Sequence, residues 1–366
     1  MKKIIISIAA CGVLALGVAA CGDDDDSGGS TSSGSASSGG GNLSGELAGA
    51  GASSQEAAQE AWIAGFQDQN ADASVAYDPV GSGGGREQFI AGGTAFAGSD
   101  SPFDETELPK AADRCGGQNN LIQIPAYISP IAVIYNLDGV DNLQLSPDTV
   151  AGIFKQEIKN WDDPAIKKDN PNADLPSDRI TPVNRSDESG TTENFTDYLS
   201  KAAPDTWTFE VADTWPVKGG EAAEGTSGVV EAVSSGNGTI GYADESQAGD
   251  LSIAALKVGD KYVKPSPEAA AQVLEHSKKD TALSKGKYVT AYDLNRETPG
   301  TYPAVLVSYL DGCTKYDSAD TGKLVKGYFG YINSTEGQAA AQKNAGSAPL
   351  SDAQIQQNQP AVDAIS

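Results

Sequence analysis

The chain has 366 residues, 39% of them hydrophobic, and its 50 acidic residues against 25 basic ones give a formal net charge of −25 at pH 7. This length exceeds what one compact core usually accommodates and predicts two lobes. The negative charge excludes nucleic acid and anionic lipid as partners held by bulk attraction, because both need a basic face.

The first predicted element is an export signal. Two lysines precede an apolar run at residues 4–20, which ends in small residues before Cys21. This pattern is typical of a bacterial lipoprotein signal, in which residues 1–20 are removed and Cys21 is acylated. The alternative is a signal anchor, but the run is shorter than the about 20 residues that span a bilayer and contains Ser7 and Gly12. We therefore expect an exported protein, anchored by lipid to the outer face of the cell membrane.

Residues 21–44 are predicted to be the lipidated cysteine followed by a tether. Their composition is mainly Asp, Gly and Ser, which cannot bury apolar surface and predicts disorder. A Gly/Ser chain of about 20 residues has an end-to-end distance on the order of 25 Å. Such a tether would keep the folded part close to the membrane.

The cysteines fall into two groups. Cys11 and Cys21 lie in the leader and at the lipid site, which leaves Cys115 and Cys313 for the folded part. In an oxidising compartment two such cysteines most often form a disulfide, here joining the early chain to the late chain. Two free buried thiols are the alternative.

After the predicted tether, short β-type runs alternate with helical patterns, which predicts an α/β fold. We expect strands at 75–77, 121–125, 131–136, 180–183, 239–242 and 304–309. We expect helices at 58–66, 149–154, 192–199, 267–274, 323–332 and 336–343. Asn333 and Glu336 fit a capping box at the last of these helices. The sequence contains no internal repeat and no second apolar run of spanning length.

Two predicted helix starts carry donors suited to an anion. Ser53 and Glu56 fit a capping box, with Ser54 as a second hydroxyl, and the alternative is simply a well-capped helix. A glycine cluster at 81–85 precedes a short helix, and its glycines let backbone N–H groups approach a bound group while Ser82 adds a donor. This cluster is not a Walker loop, because no Gly-Lys-Ser/Thr follows it.

A third helix start adds a cation. Arg185 can form a forked pair with an oxyanion while Asp187 holds its guanidinium, and Ser189, Gly190 and Thr191 supply donors where the helix dipole is positive. The alternative is a surface Arg–Asp pair beside a capped helix. Since the Debye length is about 8 Å at physiological salt, the net negative charge repels a small anion only weakly beside such local donors.

Asp100 is an unusual group to place beside an anion. A carboxylate accepts a hydrogen bond only from a ligand that still carries a proton, so it would favour hydrogenphosphate and penalise sulfate. The alternative is an ordinary N-cap aspartate, since Ser101 and Pro102 follow.

Taken in this order, the segments resemble the phosphate-binding lipoprotein of bacterial phosphate-specific ABC transporters, in its actinobacterial form. The resemblance runs from about residue 47 to the C-terminal helix. Its most specific pieces lie at 81–85, 98–100, 158–164, 185–191 and 194–199.

The resemblance implies a type II periplasmic binding-protein fold, in which two α/β lobes are joined by two crossing strands and phosphate lies in the cleft. Lobe one would comprise residues 45–127 and 292–366, and lobe two residues 128–291. Cys115 and Cys313 would then share a lobe, which suits a disulfide. In this family the first turn usually reads Ala-Thr-Phe-Pro, whereas this chain has Ala-Ser-Ser-Gln at 52–55, which keeps the donors but loses the apolar cover of Phe.

The resemblance also implies the ligand contacts. Asp187 would orient Arg185, and the phosphate-binding residues would be Ser53, Ser54, Ser82, Asp100, Arg185, Ser189, Gly190 and Thr191. The implied function is capture of inorganic phosphate and its delivery to permease subunits of an ABC transporter. We expect a monomer that is not an enzyme and needs neither cofactor nor metal.

Two other functions stay open. One is a binding or sensing protein for another oxyanion on the same scaffold. The other is a phosphate-ester hydrolase, against which the sole histidine, His276, lies in a polar stretch. The serines would then have no obvious base, and no His-based metal cluster exists in the sequence.

Overall fold

The computed structural model describes residues 43–366. The predicted leader, the lipid site at Cys21 and nearly all of the tether lie outside these residues. Ser44, the last residue of the predicted tether, is part of the first strand and pairs with Asp72.

Strands and helices alternate through this part of the chain. The strands are β1 Ser44–Gly51, β2 Asp72–Asp78, β3 Phe96–Ser99, β4 Leu121–Asn136, β5 Gln144–Leu145, β6 Thr181–Arg185, β7 Glu221–Ala223, β8 Thr239–Asp244, β9 Ser252–Ile253, β10 Ala255–Val258, β11 Lys261–Val263, β12 Lys278–Lys279, β13 Tyr288–Val289, β14 Tyr292–Asp293 and β15 Val305–Cys313. The α-helices are α1 Glu56–Gln69, α2 Ser82–Ile90, α3 Leu108–Arg114, α4 Pro147–Phe154, α5 Pro164–Asp169, α6 Gly190–Ala202, α7 Gly225–Ser235, α8 Pro267–Glu275, α9 Ala319–Ile332, α10 Thr335–Ala345 and α11 Asp352–Asp363. Short 3₁₀ turns occur at Ser53–Gln55 and Glu245–Gln247.

The principal sheet has the strand order β2-β1-β3-β15-β4-β8-β6-β7, and β9 and β13 also pair with β4. The 16-residue strand β4 pairs along residues 121–130 with β15 and along residues 131–136 with β8. Its two halves therefore belong to two neighbouring sets of strands. This agrees with a strand that passes between lobes, and the lobe boundaries themselves stay a prediction.

The two strands predicted at 121–125 and 131–136 are in fact one. Pro125 and Pro130 lack a backbone N–H, and proline within a strand usually interrupts a ladder. The structure instead shifts the register opposite Ser308 and Tyr309, a β-bulge. Asn358 donates to the carbonyl of Pro125 over 2.8 Å, and Gln338 donates to the carbonyl of Ala126 over 3.0 Å. These side chains satisfy the backbone that the bulge leaves unpaired.

Both predicted capping boxes are wrong. Ser53 lies before α1, which begins at Glu56, and the residue preceding the helix makes no side-chain cap. At α10 the cap is Ser334, which accepts from the N–H of Gly337 over 3.0 Å, whereas Asn333 ends the preceding helix. At α10 the cap lies one residue beyond the predicted one, and at α1 a 3₁₀ turn at Ser53–Gln55 precedes the helix.

The disulfide prediction is confirmed. Cys115 and Cys313 are bonded, with their Cα atoms 5.3 Å apart and a separation of 198 positions in sequence. Both lie in a buried cluster with Phe89, Phe103 and Leu121. Within residues 43–366, no helix combines the length and the apolar character that a membrane crossing requires.

Candidate functional site

The predicted site residues come together where strands end and helices begin. β1, β3 and β6 lead into them, and α2 and α6 start among them. In α/β sheets this carboxyl edge is the usual place for a ligand. Seven of the predicted contact residues have polar side chains that expose 3% or less: Ser53, Ser54, Ser82, Asp100, Arg185, Ser189 and Thr191.

Asp100 lies at the centre of this cluster. Its Oδ1 accepts hydrogen bonds from the hydroxyls of Ser54, over 2.6 Å, and Ser308, over 2.7 Å. Its Oδ2 accepts from the hydroxyl of Thr191 over 2.9 Å, and its backbone N–H donates to Oγ of Ser82 over 3.1 Å. The N-cap alternative for Asp100 is therefore excluded, since its carboxyl bonds to side chains from three distant segments.

The carboxyl of Asp100 has capacity for one more donor. Two oxygens offer about four lone pairs, and three are used by the hydroxyls. The position left over belongs to Oδ2. Burial raises the pKa of Asp100, although the hydrogen bonds from the hydroxyls act against this. A proton-carrying group that faces Oδ2 is therefore favoured here over a second bare anion.

Arg185 supplies the cation of the cluster. Its Nε donates to Oδ1 of Asp187 over 2.7 Å, and its Nη2 also bonds to that carboxylate. Within residues 43–366, Nη1 of Arg185 makes no hydrogen bond to the protein. Burial opposes ionisation of Asp187, but the hydrogen bonds and charge of Arg185 outweigh it and lower the pKa of that carboxyl. Asp187 thus fixes the guanidinium in its charged form and leaves one edge for a ligand.

The first turn of α6 lies against Ser82 and Asp100. A Cβ added to Gly190 would be 2.6 Å from Oγ of Ser82 and 2.7 Å from Cβ of Asp100, so this close approach requires glycine. Ser189 caps the helix by accepting from the N–H of Thr192 over 3.2 Å. The backbone N–H groups of residues 190 and 191 have no partner in the described part of the chain. They are the donors expected to face an anion.

Aromatic packing holds α6 in this position. Phe195 stacks on Tyr242 of β8 with ring centroids 4.4 Å apart. The hydroxyl of Tyr242 lies 2.7 Å from Oγ1 of Thr192 and accepts from the N–H of Arg185 over 3.3 Å. One tyrosine therefore ties the arginine strand to the donor helix.

The two serines of the first turn differ in their contacts. Ser53 does not cap the helix that follows it, α1; its hydroxyl oxygen lies 3.0 Å from Oγ1 of Thr226. The hydroxyl proton of Ser54 is taken by Asp100. Only the backbone N–H of Ser54 is thus left to face a ligand.

Three residues of the cluster were missed by sequence reasoning. Ser308 lies in the apolar strand β15, and Thr226 opens α7, where nothing in the local sequence indicates an anion. Asn194 donates to the carbonyls of Asp100 over 2.7 Å and Gly190 over 2.9 Å. The last could have been found, because Asn194 lies one turn from Gly190 within a motif already singled out.

Catalytic and metal-binding groups are not gathered here. His276 is exposed at the end of α8, and its Nδ1 lies 2.7 Å from the carbonyl oxygen of Gln272. Across residues 43–366, no three His, Cys, Asp or Glu side chains are grouped so as to hold a metal ion. The buried serines therefore have no histidine base beside them.

Several known proteins that resemble this chain are binding proteins. A family model described as a PBP superfamily domain matches residues 36–336. The "Phosphate-binding protein PstS 3" of Mycobacterium leprae is 33% identical over 331 residues, covering 87% of this chain and 88% of the relative. The "Phosphate-binding protein PstS 2" of Mycobacterium tuberculosis is 32% identical over 332 residues, covering 88% of each.

Solved structures show the same fold. A high affinity periplasmic phosphate-binding protein (PfluDING) bound with phosphate matches with a TM-score of 0.69 and 23% identity, over 86% of this chain and 93% of that one. A phosphate binding protein from Stenotrophomonas maltophilia matches with a TM-score of 0.66 and 21% identity, over 86% and 92%.

The mixed sheet, the long strand shared by two sets of strands and the buried polar cluster at the carboxyl edge define an α/β binding protein of the PBP class. On the relatives at 32–33% identity over nearly nine tenths of its length, the chain belongs to the PstS family of phosphate-binding proteins. The predicted periplasmic binding-protein fold is confirmed. The relatives at 32–33% identity are named as binding proteins, which bears out the prediction that the chain is not an enzyme.

Proposed function

We propose that this protein binds inorganic phosphate outside the cytoplasm and delivers it to the permease of an ABC transporter. Its family membership supports the ligand, and the solved structure with bound phosphate has the same fold. The observation that carries the proposal is Asp100, a buried acceptor surrounded by donors and facing a guanidinium. Such an arrangement suits an oxyanion that still carries a proton.

The ligand contacts follow from the donors that the protein leaves unused. Arg185 donates from Nη1, and the N–H groups of Gly190 and Thr191 donate from the start of α6. Ser82 and Ser189 use their oxygens as acceptors within the protein, so their hydroxyl protons are directed to the ligand. Two further donors come from the first turn: the Ser53 hydroxyl and the backbone N–H of Ser54. Together these groups neutralise a tetrahedral anion without a metal.

Asp100 sets selectivity in this proposal. Hydrogenphosphate donates its proton to the remaining lone pair on Oδ2, whereas sulfate has no proton to donate and would place two negative oxygens in contact. In a pocket shielded from water this repulsion is large. Arsenate shares the protonation state of phosphate, so the hydrogen bond to Oδ2 of Asp100 does not discriminate against it.

Delivery follows from closure of two lobes, residues 45–127 with 292–366 and residues 128–291. Hydrogen bonds join these segments, among them Thr191 to Asp100 within the polar cluster and Arg86 of α2 to Asp213 over 3.3 Å. Opening would separate them and release the ligand to the permease. The protein acts as a monomer that a lipid on Cys21 keeps beside the membrane.

Titration calorimetry of the purified protein tests the proposal. The wild type is expected to bind phosphate and give no heat with sulfate. Asp100→Asn turns an acceptor into a donor at Oδ2, and we expect the preference for phosphate over sulfate to fall by about tenfold to a hundredfold, as for a lost hydrogen bond to a charged group. Asp138→Asn removes a charge at an exposed position and serves as the control. Comparable heats for both anions in the wild type, or none for phosphate, would contradict the proposal.

A further inference from the structure

The first turn of α7 meets the candidate site at Ser53. The backbone N–H of Thr226 donates to Oγ of Ser53 over 3.1 Å, and the two hydroxyl oxygens lie 3.0 Å apart. Thr226 is 1% exposed and Ser53 is 3% exposed, so bulk water does not compete for either hydroxyl. The contact joins two residues 173 positions apart in sequence.

The hydroxyls of Ser53 and Thr226 carry one more proton than the hydrogen bond between them uses. Two hydroxyls carry two protons, and the bond between them uses one. Oγ of Ser53 accepts the N–H of Thr226 with one lone pair and can accept the Thr226 hydroxyl with the other, so its own proton then points away from Thr226. In the reverse arrangement the Thr226 proton is the one left. Either way the pair presents one O–H donor.

The same turn also contacts the arginine side of the cluster. The N–H of Gly225 donates to Oδ1 of Asp187 over 3.1 Å, the oxygen that also accepts from Nε of Arg185. Gly225 has φ of +70°, a left-handed conformation that glycine adopts without strain. The first turn of α7 therefore contacts both the Ser53 hydroxyl and Asp187, the carboxylate that holds the Arg185 guanidinium.

We infer that Thr226 is a positioning residue of the phosphate site, which orients the Ser53 hydroxyl so that the pair donates one hydrogen bond to a phosphate oxygen. The inference rests on the proposed function. It assigns Thr226 a role that acts through Ser53, whereas a residue that only starts α7 would affect stability without being coupled to Ser53.

Two substitutions at Thr226 test the role of its hydroxyl. Thr226→Val keeps the shape and removes the hydroxyl, and we expect phosphate affinity measured by calorimetry to fall about fivefold to tenfold, as for one neutral hydrogen bond. Thr226→Ser restores the hydroxyl and is expected to recover most of the affinity. Ser227→Ala removes an exposed hydroxyl from the same helical turn and provides the matched control.

The coupling is tested with Ser53→Ala. If Thr226 acts through Ser53, the double variant Ser53→Ala with Thr226→Val binds phosphate no more than about twofold more weakly than Ser53→Ala alone. Should the valine variant fail to fold, Thr226→Ala and Thr226→Ser give the same comparison. The melting temperature of each variant, measured without phosphate, separates lost affinity from lost stability.

Three outcomes decide the inference. Loss with Thr226→Val, recovery with Thr226→Ser and no added loss in the double variant support it. Wild-type affinity in Thr226→Val, or losses that multiply in the double variant, would overturn it while leaving the proposed function intact. Absence of phosphate binding by the wild type would overturn the proposed function itself.

Discussion

Asp244 and Glu193 are carboxyl groups placed where ionisation is unfavourable. Asp244 is fully buried; its Oδ1 accepts from the hydroxyl of Tyr127 over 3.1 Å, while its Oδ2 has no partner within the described residues. Burial raises the pKa of Asp244 to about 7. Burial also raises the pKa of Glu193 to about 7, with Arg86 acting in the opposite direction. Both groups therefore bind protons more tightly in the folded chain than in the unfolded one.

These two groups predict that stability falls as pH rises. Between the unfolded pKa near 4 and the folded pKa near 7, the folded state holds more protons, so the free energy of unfolding decreases with pH. Asp187, with its lowered pKa, is ionised in both states above pH 5 and adds no slope there. Self-repulsion from the net charge of −25 acts in the same direction. We expect the phosphate-free protein to be more stable at pH 5 than at pH 8 by on the order of 5 kcal/mol, because each of the two groups loses the advantage of its raised pKa over about two pH units.

Urea unfolding at a series of pH values between 5 and 8 measures this slope. Asp244→Asn cannot ionise and should flatten the profile, whereas Asp138→Asn changes an exposed carboxyl and should leave its shape unaltered. A free energy of unfolding that rises steadily from pH 5 to pH 8, or a slope unaffected by Asp244→Asn, would contradict the assignment.

At the residue scale, the sequence was informative wherever the signal was local. Ser82, Asp100 and Arg185 each stand beside a recognisable helix start or strand end, and they do lie together in the structure. Thr226 and Ser308 reach the cluster through long-range packing, at separations of 173 residues from Ser53 and 208 from Asp100. No pattern of neighbouring residues predicts contacts over such a long sequence separation.

At the scale of elements, each helix or strand that the periodic patterns predicted overlaps one in the structure, whereas α3, α5, α7, α11 and most of the short strands were not predicted. The amphipathic pattern at 192–199 lies within α6, and the pattern at 323–332 lies within α9. β1 was missed, because its Gly- and Ala-rich sequence lacks the β-branched residues that mark strands. β4 was divided in two at Pro125, since the side chains that satisfy its bulge come from α10 and α11. Tertiary contacts decided each of these points.

Helix α2 predicts opposite effects for two neighbouring glycines. A Cβ added to Gly85 would be 2.8 Å from the carbonyl oxygen of Ala50 and 2.9 Å from the backbone N of Gly51, which are backbone atoms of β1. A Cβ added to Gly84 would meet only the side chain of Val80, at 3.2 Å or more. Gly85→Ala should therefore push α2 from the sheet and destabilise by about 1–3 kcal/mol, whereas Gly84→Ala should be neutral or stabilising by up to about 1 kcal/mol.

Urea unfolding of both variants provides the comparison, and calorimetry adds a functional reading. Because Ser82 begins the same helix, displacement by Gly85→Ala should also weaken phosphate binding, while Gly84→Ala should not. Equal stability of the two variants would show that α2 does not need its close approach to β1.

At the scale of the whole molecule, the late part of the chain lies in the middle of the fold. β15 is inserted between β3 and β4, so residues 305–313 pair with residues that lie 175 to 214 positions earlier in the chain. The principal sheet is therefore complete only when the last third of the chain has been added. Such non-local pairing carries a large loop-closure cost.

The disulfide reduces that cost in the unfolded chain. It joins Cys115, just after α3, to Cys313 at the end of β15, and it closes a loop of 198 residues. Constraining so long a loop typically contributes about 2–4 kcal/mol to stability. We expect the double variant Cys115→Ala with Cys313→Ala to lose about this amount in urea unfolding. Phosphate binding should persist in the folded variant, because neither cysteine takes part in the hydrogen bonds of the site.

Reduction of the wild type offers an independent check on the same quantity. Protein treated with a reductant should unfold at the same urea concentration as the double alanine variant, and the reductant should leave the variant itself unaffected. If reduction or the double substitution left the unfolding midpoint unchanged, the disulfide would contribute nothing to the stability of the fold. The late strand would then be held in the sheet by its β3 and β4 ladders and buried side chains alone.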